Sequence, residues 1–203
     1  MAIVVIGGQS KDIGKTAVVC ALIAAMPERR WTAIKISFAH GEPDESETHA
    51  TTGQTIAIEE ECDATAGTDS SRYLAAGAAR SFWVRISAGQ LAEAMPGIRA
   101  AMAGTENVIL ESNSILGWLQ PDLYAIVLDP RIADFKTSAR RYLDRADAVL
   151  WCGGTMEQSA VSLRALERTP QFQIAPPHYS SVEFNLFVAR KLERVGRLSL
   201  PTQ

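Results

Sequence analysis

Three observations predict an α/β fold, a three-layer sandwich with a mostly parallel central sheet. Short apolar runs alternate with amphipathic stretches along most of the chain. The apolar runs are continuous rather than alternating, which is the pattern of strands covered on both faces. The first run passes through a glycine-rich turn directly into a helix-like stretch, and strand followed by helix is the repeating unit of a parallel sheet.

In chain order, strands are expected over residues 2–7, 32–37, 81–86, 107–111, 122–128, 147–152 and 172–175. Helices are expected over 15–25, 70–79, 89–103, 132–146, 159–167 and 182–195. In the first of these, Val18 with Leu22 and Val19 with Ile23 fall at i and i+4, so one side of the helix is apolar. Residues 38–54, FAHGEPDESETHATTGQ, break the rhythm. They are acidic, polar and marked by Gly and Pro, and are expected to form a long loop, either a functional one or a surface excursion with no role.

The 203 residues, with 47% hydrophobic and 21% charged side chains, fit one domain over 1–203 with a substantial core. A net charge of −3 and a pI near 5.7 leave no basic field, which argues against nucleic acid or an anionic membrane as partner. The opening MAIVVIGGQ lacks the layout of a secretory signal, and no apolar run approaches the roughly 20 residues of a membrane span. Cys20, Cys62 and Cys152 are widely separated, as expected of thiols in a reducing cytoplasm. The spacing of His40, His49 and His178 supports no metal site with Cys62.

The chemistry-bearing stretch is VVIGGQSKDIGKTAVV, residues 4–19. A strand runs into Gly7 and Gly8, then a polar turn, then Gly14-Lys15-Thr16 at the start of a helix. Glycines let the backbone wrap an anion, the amides from Ser10 to Ala17 face inward, and the helix N-terminus adds its positive dipole end. Gly8, Ser10, Lys11, Asp12, Ile13, Gly14, Lys15, Thr16 and Ala17 are therefore the expected nucleotide-binding residues. Lys15 reaches for the terminal phosphates, and the Thr16 hydroxyl is placed to ligate Mg²⁺. Lys11 either reaches phosphate or substrate, or points to solvent.

Five residues separate Gly8 from Gly14, one more than in the plain phosphate-loop pattern. With that length, GGQSKDIGKT resembles the loop of dethiobiotin synthetases and cobyric acid synthase-type proteins, in the MinD and BioD-like class of P-loop NTPases. Where that class carries a signature lysine, this chain has Ser10, and Lys11 is one place off. A second stretch, GTDSSRYLAAGA from Gly67 to Ala78, resembles the segment GKDSxRHxxAGA of the molybdopterin-guanine dinucleotide biosynthesis adaptor (MobB) family. Gly67, Asp69, Ser70, Arg72, Ala76, Gly77 and Ala78 fall in place. So do a lysine ending the second strand, Lys35, and an acid ending a later one, Glu111. Thr68, Tyr73, Ile36 and Ser112 depart from the family pattern, and the likeness spans roughly the first 115 residues.

Glu111, at the end of ENVILE, is expected to hold Mg²⁺ directly or through water. Asp69 with Ser70 is either a helix N-cap or an orienter of Mg²⁺ or water, or both. Lys35 and Arg72 are candidate partners of a substrate anion or a γ-phosphate. With no NKxD motif, ATP and GTP stay open; in related folds the base sits against loops that here would be 152–156 and 175–179, which are otherwise ordinary loop turns.

The resemblance implies a GTP- or ATP-binding adaptor or slow NTPase that serves a cofactor-biosynthesis enzyme, with homodimerisation common in such families. The alternative is a small-molecule kinase or ligase of the dethiobiotin synthetase type, in which Lys15, Lys11 and Mg²⁺ stabilise charge and Asp69 assists. A third reading is a switch in which 38–54 orders around the γ-phosphate.

Overall fold

The computed structural model describes residues 1–38, 55–155 and 166–198. The 38–54 loop, apart from Phe38, and most of the 159–167 helix lie outside the described residues, as do His40 and His49.

Eight strands form one sheet: β1 (Ala2–Gly8), β2 (Thr32–Phe38), β3 (Ile56–Glu61), β4 (Arg80–Ile86), β5 (Asn107–Glu111), β6 (Leu123–Leu128), β7 (Ala148–Cys152) and β8 (Gln171–Ile174). Their order across the sheet is β3-β4-β2-β5-β1-β6-β7-β8. All pairings are parallel except that of β3 with β4. β1, β5, β6 and β7 are almost entirely buried, which is why their sequences are continuous apolar runs.

Helices cover both faces. The side chains of α1 (Lys15–Ala25), α2 (Asp69–Ala75) and α5 (Val182–Leu198) join Val4, Ile6, Ala33 and Ile109 in one apolar cluster. Those of α3 (Leu91–Met102) and α4 (Thr137–Arg141) join Val5, Ile34, Ile36 and Leu110 in the other. Successive residues of β2 thus point to opposite layers, and Lys35 lies between Ile34 and Ile36 on the α1/α2 side.

Three expectations need correction. β3 was not foreseen. It is an antiparallel edge strand whose glutamates pair with the neighbouring strand, Glu60 with Arg80 at 2.7 Å and Glu59 with Arg85 at 2.6 Å. The expected helix over 70–79 ends at Ala75, because Gly77 takes a left-handed φ of 102° that closes it. The expected helix over 132–146 shrinks to α4 and a 3₁₀ turn at Leu143–Arg145. Gln9 is the cause: its Nε2 donates to the carbonyls of Ile132 and Asp134, at 2.5 and 3.1 Å, and its own carbonyl accepts from Lys136 N–H at 2.9 Å. The segment is tied down as a loop up to Lys136.

Candidate functional site

The phosphate-loop sequence forms a loop between β1 and α1 at the C-terminal edge of the sheet, where open α/β sheets build their sites. Gly8, Ser10 and Ile13 are buried, with Ile13 anchored in the α1 core cluster, while Lys11 and Asp12 form the exposed tip. Asp12 at φ 56° and Gly14 at φ 97° turn the chain so that α1 starts at Lys15. Lys15 folds over the loop and donates to the Ser10 carbonyl at 2.6 Å. Gly8 and Lys15 are in close contact: a Cβ at Gly8 would lie 2.8 Å from Lys15 Cδ.

Asn113, just past β5, holds the entry to the loop. Its Oδ1 accepts from Gly8 N–H and its Nδ2 donates to the Gly8 carbonyl, both at 2.9 Å. Gln9 makes the equivalent brace toward β6, its Oε1 accepting from Asp129 N–H at 3.0 Å. Neither residue was singled out from sequence, since a lone amide carries no signature. On the far side, Tyr179 covers Gly14: a Cβ there would lie 2.3 Å from the tyrosine ring. Of the two stretches expected to meet a base, 175–179 therefore lies against the phosphate loop.

Five side chains from four elements meet beside the loop: Thr16 of α1, Lys35 of β2, Glu111 of β5, and Asp69 and Tyr73 of α2. Parallel pairing of β2 with β5 sets Lys35 beside Glu111, and α1 brings Thr16 over them. The Thr16 hydroxyl donates to Glu111 Oε2 at 2.7 Å, and Lys35 Nζ lies 3.3 Å from Thr16 Oγ1. Lys35 Nζ also forms an ion pair with Glu111 and reaches Asp69 Oδ2 at 2.9 Å. Beneath them, fully buried Tyr73 donates its hydroxyl to Glu111.

Asp69 is not the helix cap. Thr68 is, its Oγ1 accepting from Ser71 N–H at 3.0 Å. With the cap supplied by Thr68, the Asp69 carboxylate is left to face Lys35. Arg72 stands at the exposed rim, 3.4 Å from Asp69, rather than within the cluster.

The packing tunes Tyr73, Cys20, Asp69 and Lys35. Burial pushes the Tyr73 hydroxyl well above its ordinary value and the Glu111 carboxylate pushes it further, so it remains a neutral donor. Burial pushes the Cys20 thiol up to about 11 despite nearby Arg72, which keeps it protonated at neutral pH. For Asp69, burial acts upward, but Lys35 and then Arg72 outweigh it and hold the carboxyl below its ordinary 3.8. For Lys35, burial acts downward, but Glu111 and then Asp69 outweigh it and raise the ammonium above 10.5.

A carboxyl lowered on folding contributes stability above its unfolded pKa and loses it as pH falls through the folded value. A raised ammonium contributes below its unfolded pKa and loses it as pH rises. The cluster is thus most stabilising between about pH 4 and about pH 10. Asp69→Asn is expected to make the acid limb of a melting-temperature profile shallower than that of the parent. Superimposable limbs would contradict the Lys35–Asp69 pairing.

Thr16, Glu111 and Asp69 offer a hydroxyl and two carboxylates, the hard oxygen donors that suit Mg²⁺. The loop amides and Lys15 suit the phosphates the metal would bridge.

No family profile and no curated protein matches the chain. Among solved structures, it resembles HypB from Helicobacter pylori, determined with nickel, at 15% identity and a TM-score of 0.51, covering 95% of this chain and 88% of that one. LpxK from Aquifex aeolicus, determined with ATP, is similar at 18% identity and a TM-score of 0.49, covering 85% of this chain. The chain spans about half the length of that LpxK, 53%. The likeness to HypB extends to the fold, an α/β sandwich around a mostly parallel sheet. No helix of the described residues is long and apolar enough to cross a membrane.

Proposed function

We propose that this protein binds a Mg²⁺·nucleoside triphosphate, ATP or GTP, at the loop 8–17, and acts as a slow NTPase or nucleotide-dependent adaptor in the cytoplasm. The observation that carries the reading is the convergence of Thr16, Glu111, Asp69 and Lys35 beside the phosphate loop. The loop amides and Lys15 hold the phosphates, Thr16 and Glu111 hold the metal directly or through water, and Mg²⁺ supplies Lewis-acid neutralisation of the phosphate charge. Asp69 orients water or metal, and Lys35 faces the γ-phosphate.

The segment resembling the adaptor family contributes two members of this constellation: Asp69 itself, and Tyr73 in place of the family's histidine. The place of Asp69 supports a role beside an enzyme of molybdopterin-guanine dinucleotide-like cofactor synthesis; a homodimer is what the family resemblance alone implies. The five-residue spacing in the loop favours a second reading, phosphoryl transfer to a small carboxylate or carbamate, with Lys15 and Lys11 neutralising charge.

Calorimetry with Mg²⁺·ATP and Mg²⁺·GTP, followed by phosphate release with and without small carboxylic acids, separates the two. GTP preference with negligible turnover favours the adaptor; ATP turnover that rises with an added acid favours transfer. Glu111→Gln is expected to shift the Mg²⁺ midpoint of nucleotide binding upward by about tenfold. An unchanged Mg²⁺ titration would remove Glu111 from the metal site.

A further inference from the structure

Lys35 occupies the position that a divalent cation would need. Its ammonium contacts Thr16, Glu111 and Asp69 together, and these are the hard oxygen donors of the site. A second cation cannot share those oxygens at hydrogen-bond range without strong repulsion. We infer that Lys35 is a built-in competitor of the metal: ammonium and Mg²⁺ exchange over the same three groups, and the site takes the metal only with the phosphates attached. The inference rests on the reading of the loop as a Mg²⁺·nucleotide site.

Charge and mechanics both support exchange. Two carboxylates and one ammonium leave the cluster with one negative charge in excess. Mg²⁺ in place of the ammonium makes it neutral, and the displaced ammonium needs a new anion. Phosphate oxygens on the loop supply that anion, whereas Mg²⁺ alone does not. The lysine is also built to move at its tip only. Its neighbours Ile34 and Ile36 are locked in the opposite apolar layer, so the strand stays fixed while the four-carbon stem swings. Glu111 does not lose its support when the ammonium leaves, because Thr16 and Tyr73 still donate to it. The displaced Lys35 would pair with phosphate oxygens held by the loop. It is thus a positioning residue, which gates metal entry and then holds phosphate.

The test uses the full chain without nucleotide and Mn²⁺ alone as probe, with free Mn²⁺ read by electron paramagnetic resonance. Lys35→Met and Lys35→Gln are compared with the parent, the Gln variant retaining a hydrogen-bond donor toward Glu111. Both are expected to bind Mn²⁺ about tenfold or more tightly than the parent, and to gain melting temperature on adding Mg²⁺ where the parent does not. Adding Glu111→Gln to Lys35→Met is expected to abolish the gain. A purely structural lysine would give the reverse, since its loss would disorder the donors and weaken Mn²⁺ binding. Mn²⁺ affinity equal to or below that of the parent in the folded variants overturns the exchange.

Calorimetry of the parent with Mg²⁺·ATP and Mg²⁺·GTP reads the underlying site independently. Nucleotide binding without a Mn²⁺ gain in the variants keeps the phosphate loop and overturns the exchange. A Mn²⁺ gain without nucleotide binding by the parent supports competition for the metal and overturns the nucleotide reading.

Discussion

Alanine in place of Lys15 is expected to weaken Mg²⁺·nucleotide binding by about a hundredfold while leaving the fold in place. Lys15 contributes nothing to the apolar face of its helix, which is built from Val18, Val19, Leu22 and Ile23. Its ammonium bonds the Ser10 carbonyl, so the stability cost of removing it is of the order of one hydrogen bond, about 1 kcal/mol. Against phosphate the same ammonium would make a charge-assisted bond worth about 1.5–3 kcal/mol, and a hundredfold loss corresponds to about 2.7 kcal/mol. Calorimetry reads the affinity and urea denaturation reads the fold. If the variant binds Mg²⁺·nucleotide as tightly as the parent, the loop is not a phosphate site.

The strand, loop and helix over residues 2–25 were legible because their signals are local. Double glycine, GKT and the flanking strand and helix are contiguous, and each has a single physical use there. Lys35, Asp69 and Glu111 were nameable from the motif resemblance, but their meeting depends on the β2–β5 register and on α2 crossing the sheet, which no single stretch encodes.

Where reading from sequence erred, a tertiary contact decided the outcome. Residues 132–136 carry a helix-compatible pattern, yet Gln9 offers their backbone other hydrogen-bond partners. Three consecutive glutamates in β3 hide a strand because Glu59 and Glu60 are answered by Arg85 and Arg80 of the neighbouring strand and Glu61 by the hydroxyls of Thr68 and Ser70. Asp69 looked like a cap because Thr68, which does that work, precedes it by one residue.

The loop's placement depends on Gly7, and Gly7→Ala is expected to lower stability by about 2–4 kcal/mol. A Cβ at this position would lie 2.2 Å from Asn113 Oδ1 and 2.8 Å from the Tyr124 ring. Neither neighbour yields easily. Tyr124 is 1% exposed and packed in the α3/α4 layer, and Asn113 is pinned by its two bonds to the Gly8 peptide. Moving Asn113 breaks both bonds and leaves buried amide groups unpaired, which is the costly outcome. It also frees the first peptide of the phosphate loop, so nucleotide affinity is expected to fall along with stability.

A double-mutant cycle in urea distinguishes this mechanism from a general intolerance of β1 to substitution. Asn113→Ala alone loses the two bonds, and Gly7→Ala in that background meets open space where Oδ1 had been, so the two losses are expected to be markedly less than additive. Full additivity would mean that the clash with Tyr124 carries the cost, and that Gly7 is not what lets Asn113 reach across to fix the loop.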